Sequence, residues 1–95
     1  MDIVTVCGMG LGTSMMVKLS IDKILREEGI TAKVNPVDLG SFKTASADIV
    51  VAPKDMERQV AGSSADVVLL NNLTDVNEIR EKLLPVVQDR TTNDS

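Results

Sequence analysis

Histidine, tryptophan and tyrosine are absent from this 95-residue chain, and cysteine and phenylalanine occur once each, as Cys7 and Phe42. A single cysteine excludes an internal disulfide and a Cys-x-x-Cys redox pair. Without histidine there is no His/Cys zinc site and no Cys–His thiol protease pairing. No metal or cofactor is called for. Ten basic against fourteen acidic residues leave a net charge of −4. Phosphate backbones want a basic face and single-stranded bases want aromatic platforms, so nucleic acid is not an expected partner. The longest apolar runs, Ile49 to Ala52 and Val67 to Leu70, fall far short of the ~20 residues of a membrane span, so no direct membrane insertion is expected. No secretory signature is read at the start of the chain, which leads to the expectation of a soluble, cytoplasmic protein. The length suits one small domain with one modest core. It is placed at 1–88, with a flexible C-terminal tail at 89–95.

What the chain does have is concentrated near its start. Cys7-Gly8-Met9-Gly10-Leu11-Gly12-Thr13-Ser14 holds the cysteine and three of the six glycines. It lies between an apolar run, Ile3 to Val6, and a helical pattern expected to begin near Met15. A strand end, a small-residue loop and a helix start together offer a nest of backbone N–H groups that attracts an anion such as phosphate.

The rest alternates strand and helix. Asp2 to Val6 reads as a central strand, apolar on both faces. Met15, Leu19, Ile21, Ile24 and Leu25 give helical spacing up to Arg26-Glu27-Glu28, a solvated helix end, and Gly29 closes that helix. An edge strand is predicted at Ile30 to Asn35, with Pro36 at its end. One or two helical turns within Gly40 to Ala47 would turn Phe42 inward. A third strand runs Asp48 to Ala52, a brief helix Asp55 to Val60 and a fourth strand Val67 to Leu70. Asp75 with Glu78 forms a capping box for a last helix whose buried stripe is Ile79, Leu83, Leu84 and Val87. Pro85 should kink or end it. Right-handed crossovers then give an α/β three-layer sandwich: a four-stranded parallel sheet of order 2-1-3-4, helices on both faces, and a P-loop-like cysteine loop at the topological switch point after strand 1.

The parts of the loop suggest their chemistry. A helix start favours the thiolate, the reactive form of Cys7. Glycines at 8, 10 and 12 let successive N–H groups face inward, and Thr13 and Ser14 add hydroxyl donors. The result suits a phosphoryl group carried on sulfur. The lysine that ends a nucleotide-binding P-loop is missing, with none before Lys18, and Gly8-x-Gly10-x-Gly12 fits a dinucleotide fingerprint poorly. A cysteine phosphatase would carry an arginine near position 13, where Thr13 stands. Three readings stay open on these residues: a phosphocysteine carrier, a low-molecular-weight cysteine phosphatase-like hydrolase with an unusual loop, and a non-catalytic anion-binding regulatory module in which Cys7 is a small core residue.

The cysteine loop, the strand before it, Ala47-Asp48-Ile49-Val50-Val51-Ala52 and Val68-Leu69-Leu70-Asn71-Asn72 together resemble the enzyme IIB components of the bacterial sugar phosphotransferase system, over the chain to about Gln88. The loop is most similar to the ascorbate type. Thr13-Ser14 is also similar to the galactitol type, and Pro53-Lys54-Asp55-Met56 resembles mannitol-type members, where a basic residue occupies that loop. The resemblance implies a phosphotransferase subunit. Cys7 would accept a phosphoryl group from the phosphohistidine of a phosphorylated IIA protein or domain and pass it to a sugar substrate held at the membrane IIC component. Gly8, Met9, Gly10, Leu11, Gly12, Thr13 and Ser14 would cradle that group. Lys54 either adds a positive charge beside them or is a solvated surface lysine. Met9 and Leu11 are expected as an exposed apolar docking collar, and at least one of Met15 and Met16 as core. Asp38, Asn71 and Asn72 lie at the same sheet end, where turn or capping duty is the expected role.

Overall fold

A computed structural model describes residues 1–6, 11–37, 39–42, 47–62 and 65–93. Four parallel strands, β1 (Asp2–Val6), β2 (Lys33–Val37), β3 (Ile49–Pro53) and β4 (Asp66–Leu70), lie in the order β2-β1-β3-β4. Four helices connect and follow them: α1 (Leu11–Glu27), α2 (Leu39–Phe42), α3 (Glu57–Val60), preceded by a 3₁₀ turn at Lys54–Met56, and α4 (Val76–Asn93). This is the predicted fold class and strand order. Among the described residues, no helix is long and apolar enough to cross a membrane.

Side chains alternate across a strand, so each β-strand feeds two cores. Ile3, Ile49, Val51, Val68 and Leu70 meet Val17, Ile21, Ile24 and Leu25 of α1 and Ile79, Leu83 and Val87 of α4. On the other face Val4, Val6, Val50 and Ala52 meet the buried Met56 and Val60, with Phe42 half-buried beside them as predicted. The three layers are therefore unequal, two long helices on one face and short turns on the other.

Several boundaries differ from the sequence reading. Gly29 has φ 69, and Ile30 N–H donates to the Leu25 carbonyl at 2.9 Å while Gly29 N–H donates to that of Arg26 at 3.3 Å. This pair is a Schellman closure. It holds Ile30 beside the core, so β2 begins only at Lys33 and takes in Pro36. Pro36 is tolerated because β2 is an edge strand, where a missing donor breaks no ladder. α1 starts at Leu11 rather than near Met15. Pro85 does not end α4, which continues to Asn93 and makes residues 89–93 helical where a frayed tail was expected. Pro85 is exposed. Beyond it, Val87 is fully buried and Arg90 is tethered, its Nε donating to Asp66 at 2.8 Å and its guanidinium 3.6 Å from Asp48.

Candidate functional site

The carboxyl ends of all four strands lie at one end of the sheet, the end at which open α/β sheets bind ligands. β1 is central and buried along its length from Ile3. Cys7 is bonded directly to its last residue, Val6. Residues 7–10 lie outside the described residues, so the expectations for Cys7, Gly8, Met9 and Gly10 are not tested by the geometry. Leu11, Gly12, Thr13 and Ser14 form the first turn of α1. The sequence reading put them in the loop. Glycine lowers helix propensity by about 1 kcal/mol relative to alanine, but the fully packed Ile21 and Ile24 hold α1 to the sheet and carry its start past Gly12. The correction changes where donors come from. The first four N–H groups of a helix have no partner within it, so residues 11–14 supply helix-terminal amides. No acidic side chain stands in this first turn to compensate them.

Lys54 follows β3 immediately and is exposed. β3 pairs directly with β1, Thr5 opposite Val51, so Lys54 leaves the sheet one strand spacing, about 5 Å, to the side of β1. With Asp55, Leu70 and Asn71 it lines a shallow depression between the ends of β3 and β4. Lys54 thus stands at the predicted end of the sheet. Asp38 lies outside the described residues.

The turn after β4 is held by α4. Asp75 Oδ1 accepts the N–H groups of Asn77 at 3.0 Å and Glu78 at 3.3 Å, an N-cap as predicted. The reciprocal half of the capping box is not formed. Asp75 N–H goes to the Asn72 carbonyl at 3.2 Å. Glu78 instead reaches past its own helix start: Oε2 accepts Asn71 N–H at 2.7 Å and Oε1 accepts Asn72 N–H at 2.8 Å. Lys82 Nζ also donates to Oε2. These bonds, Lys82 first and then Asn71 and Asn72, hold the Glu78 carboxyl down to about 2 against the raising effect of its burial. Asn72 has the turn role expected of it, its Oδ1 accepting from Thr74 N–H at 3.0 Å and Thr74 Oγ1 at 2.7 Å.

The outer face of α1 corrects a second expectation. Met15, Met16 and Leu19 are 45, 56 and 60% exposed. The buried stripe is Val17, Ile21, Ile24 and Leu25. At about 100° per residue the other three lie roughly 120–220° around the helix from Ile21. Reading Met15 and Leu19 into the stripe counted apolar residues without testing their phase against Val17. An apolar face therefore adjoins the first turn of α1. Neither it nor the reach of Glu78 was found from sequence; the helical phase anchored on Val17 could have found the first.

The family model described as "PTS system, Lactose/Cellobiose specific IIB subunit" matches residues 2–85. An ascorbate-specific PTS system EIIB component of Mycoplasma pneumoniae is 37% identical over 90 residues, covering 92% of this chain and 95% of that protein. One of Shigella dysenteriae serotype 1 is 30% identical over 95 residues, covering 97% and 94%. Among solved structures, a low molecular weight protein tyrosine phosphatase from Bacillus subtilis superposes with a TM-score of 0.56 over 97% of this chain and 95% of its own, at 15% identity. A mutant of YwlE from the same organism gives 0.52 at 16% identity, over 98% and 97%. These structural likenesses speak to the fold alone.

Proposed function

Because the chain belongs to the lactose/cellobiose-type IIB family of the phosphotransferase system, we propose that Cys7 is its phosphoryl carrier and that it works in an ascorbate-type system in the cytoplasm. The observation that carries the reading is the junction itself. The only cysteine is bonded to the end of the central strand, and α1 opens at Leu11, where the first-turn amides have no partner within the helix. The names of the relatives support the sugar assignment.

The chemistry has two steps. The Cys7 thiolate attacks phosphorus on the phosphohistidine of IIA; the S–P bond forms, the P–N bond breaks and its electron pair returns to the imidazole nitrogen. A hydroxyl of the sugar at IIC then attacks the same phosphorus, the S–P bond breaks, sulfur leaves as thiolate and the hydroxyl proton passes to solvent. Gly8, Met9, Gly10, Leu11, Gly12, Thr13 and Ser14 supply neutral donors to the phosphoryl oxygens. Lys54 contributes a mobile positive charge from the adjacent strand end. Neutral donors hold the group without binding it so tightly that onward transfer stalls. With Thr13 where a phosphatase would carry arginine, hydrolysis is not favoured. Docking falls to the α1 face of Met15, Met16 and Leu19, whose flexible thioethers adapt to two successive partners. The same docking role is proposed for Met9 and Leu11.

The test is incubation with ³²P-phosphorylated IIA. Label should map to the peptide containing Cys7 and be released by iodine. Label elsewhere, or turnover of a phenyl phosphate ester at a rate matching transfer, would reject the carrier in favour of another acceptor or a hydrolase.

A further inference from the structure

The Glu78 side chain reaches from α4 to the turn after β4 and bonds it through both of its oxygens, to Asn71 and Asn72. A capping residue has no need of that reach, since Asp75 already caps the helix. Fixing two successive backbone N–H groups fixes the peptide planes on either side of Asn71. This sets the direction in which the exposed Asn71 side chain leaves the backbone, beside the depression that Asn71 lines with Lys54. β4 lies two strands from β1, about 10 Å. A side chain as short as asparagine does not reach a phosphoryl group on Cys7 across that span. It does reach a protein seated over the strand ends.

Resting on the carrier reading above, we propose that Glu78 is a positioning residue for the phosphodonor: it holds Asn71 at the rim beside Lys54, where Asn71 contacts phosphorylated IIA as it delivers its phosphoryl group. A contact residue held in place before binding loses little freedom on binding, and that advantage disappears when the turn is released. Lys82 serves only as a counter-charge to Glu78 and is not needed to hold Asn71.

The experiment measures phosphoryl transfer from IIA, as a function of IIA concentration, for wild type, Glu78→Gln, Asn71→Ala, the double variant and Lys82→Met, with thermal melts of each. One hydrogen-bonded contact amounts to about a fivefold effect. Glu78→Gln and Asn71→Ala should each raise the half-saturating IIA concentration about fivefold with the maximal rate kept. Asn71→Ala should melt like wild type, and Lys82→Met should transfer like wild type. Residues acting through one contact do not add, so the double variant should be no worse than the worse single one. A Glu78→Gln chain that melts earlier yet saturates normally would reduce Glu78 to a fold contact and overturn the proposal, as would single effects that multiply to about 25-fold. Should Glu78→Gln not fold, Asn71→Ala decides alone, and normal saturation there overturns the proposal. If wild type accepts no phosphoryl group, the carrier reading itself fails and this proposal falls with it.

Discussion

The two ends of the β-sheet are built on opposite plans. At the amino end, strand starts are laced to one another and to the last helix. Asp2 N–H donates to Asp48 Oδ2 and Asp48 N–H to the Asp2 carbonyl, both at 2.8 Å; Asp66 N–H donates to the Asp48 carbonyl at 3.0 Å; and Arg90 reaches both Asp66 and Asp48. At the carboxyl end the described polar groups are the first-turn amides of α1, the exposed Lys54, and a turn after β4 that Glu78 ties to α4. Open α/β sheets bind ligands at the carboxyl ends of their strands, so on the carrier reading one end closes the fold and the other is left to the site. The difference predicts that damage at the amino end lowers stability and spares transfer, and that damage at the carboxyl end does the reverse.

The largest expected effect is at Cys7. Cys7→Ser should abolish phosphoryl transfer while leaving the melting curve within a degree or two of wild type. Transfer that survives would remove Cys7 from the mechanism. Next comes a change that spares neither end. Leu83 is fully buried between α4 and the sheet, and Leu83→Ala should cost about 2–5 kcal/mol in urea unfolding. Transfer by the fraction still folded should be unaltered.

Smaller effects separate the ends more sharply. Replacing Met15, Met16 and Leu19 together by serine should raise the half-saturating IIA concentration several-fold, read by titration of labelled IIA, with little change in melting because all three are exposed. A matching fall in stability would show that the face packs within the fold. Arg90→Ala at the opposite end should cost no more than about 1 kcal/mol, as exposed ion pairs do, and leave transfer rates unchanged. The smallest effect is an acid slope. The Glu78 carboxyl is held to about 2 against an ordinary 4.5. Its contribution to stability is therefore complete above pH 4.5 and is lost as pH falls toward 2, where the unfolded chain binds the proton first. Acid melts of Glu78→Gln should be flatter than wild type over that window, and parallel curves would mean the carboxylate is not held in solution.

The α/β class and the strand order were legible in the residues. Ile49 to Ala52 and Val67 to Leu70 are short, β-branched-rich apolar runs bounded by turn residues, which favours strands, and strands separated by helices pair in parallel. Less legible were the first turn of α1 and the run of α4 through Pro85, because Gly12 and Pro85 are local breakers whose cost is outweighed by burial of residues several turns away. Arg90 reads as part of a polar tail until the fold brings Asp48 and Asp66, 42 and 24 positions earlier, within reach of it. Glu78 reads as half of a capping box until β4 delivers two N–H groups that compete for its carboxylate.

The division between what sequence and tertiary structure each decided follows from the range of the interactions involved. Hydrophobic period, the glycine at position 29 and the placement of a lone cysteine after an apolar run are local properties, and they determined the elements, their order and the candidate nucleophile. Which side of α1 faces solvent, how far α4 extends and which backbone groups a carboxylate chooses depend on partners distant in the chain. Only closure of the sheet and the packing of helices on its two faces bring those partners together, so only the tertiary structure decided them.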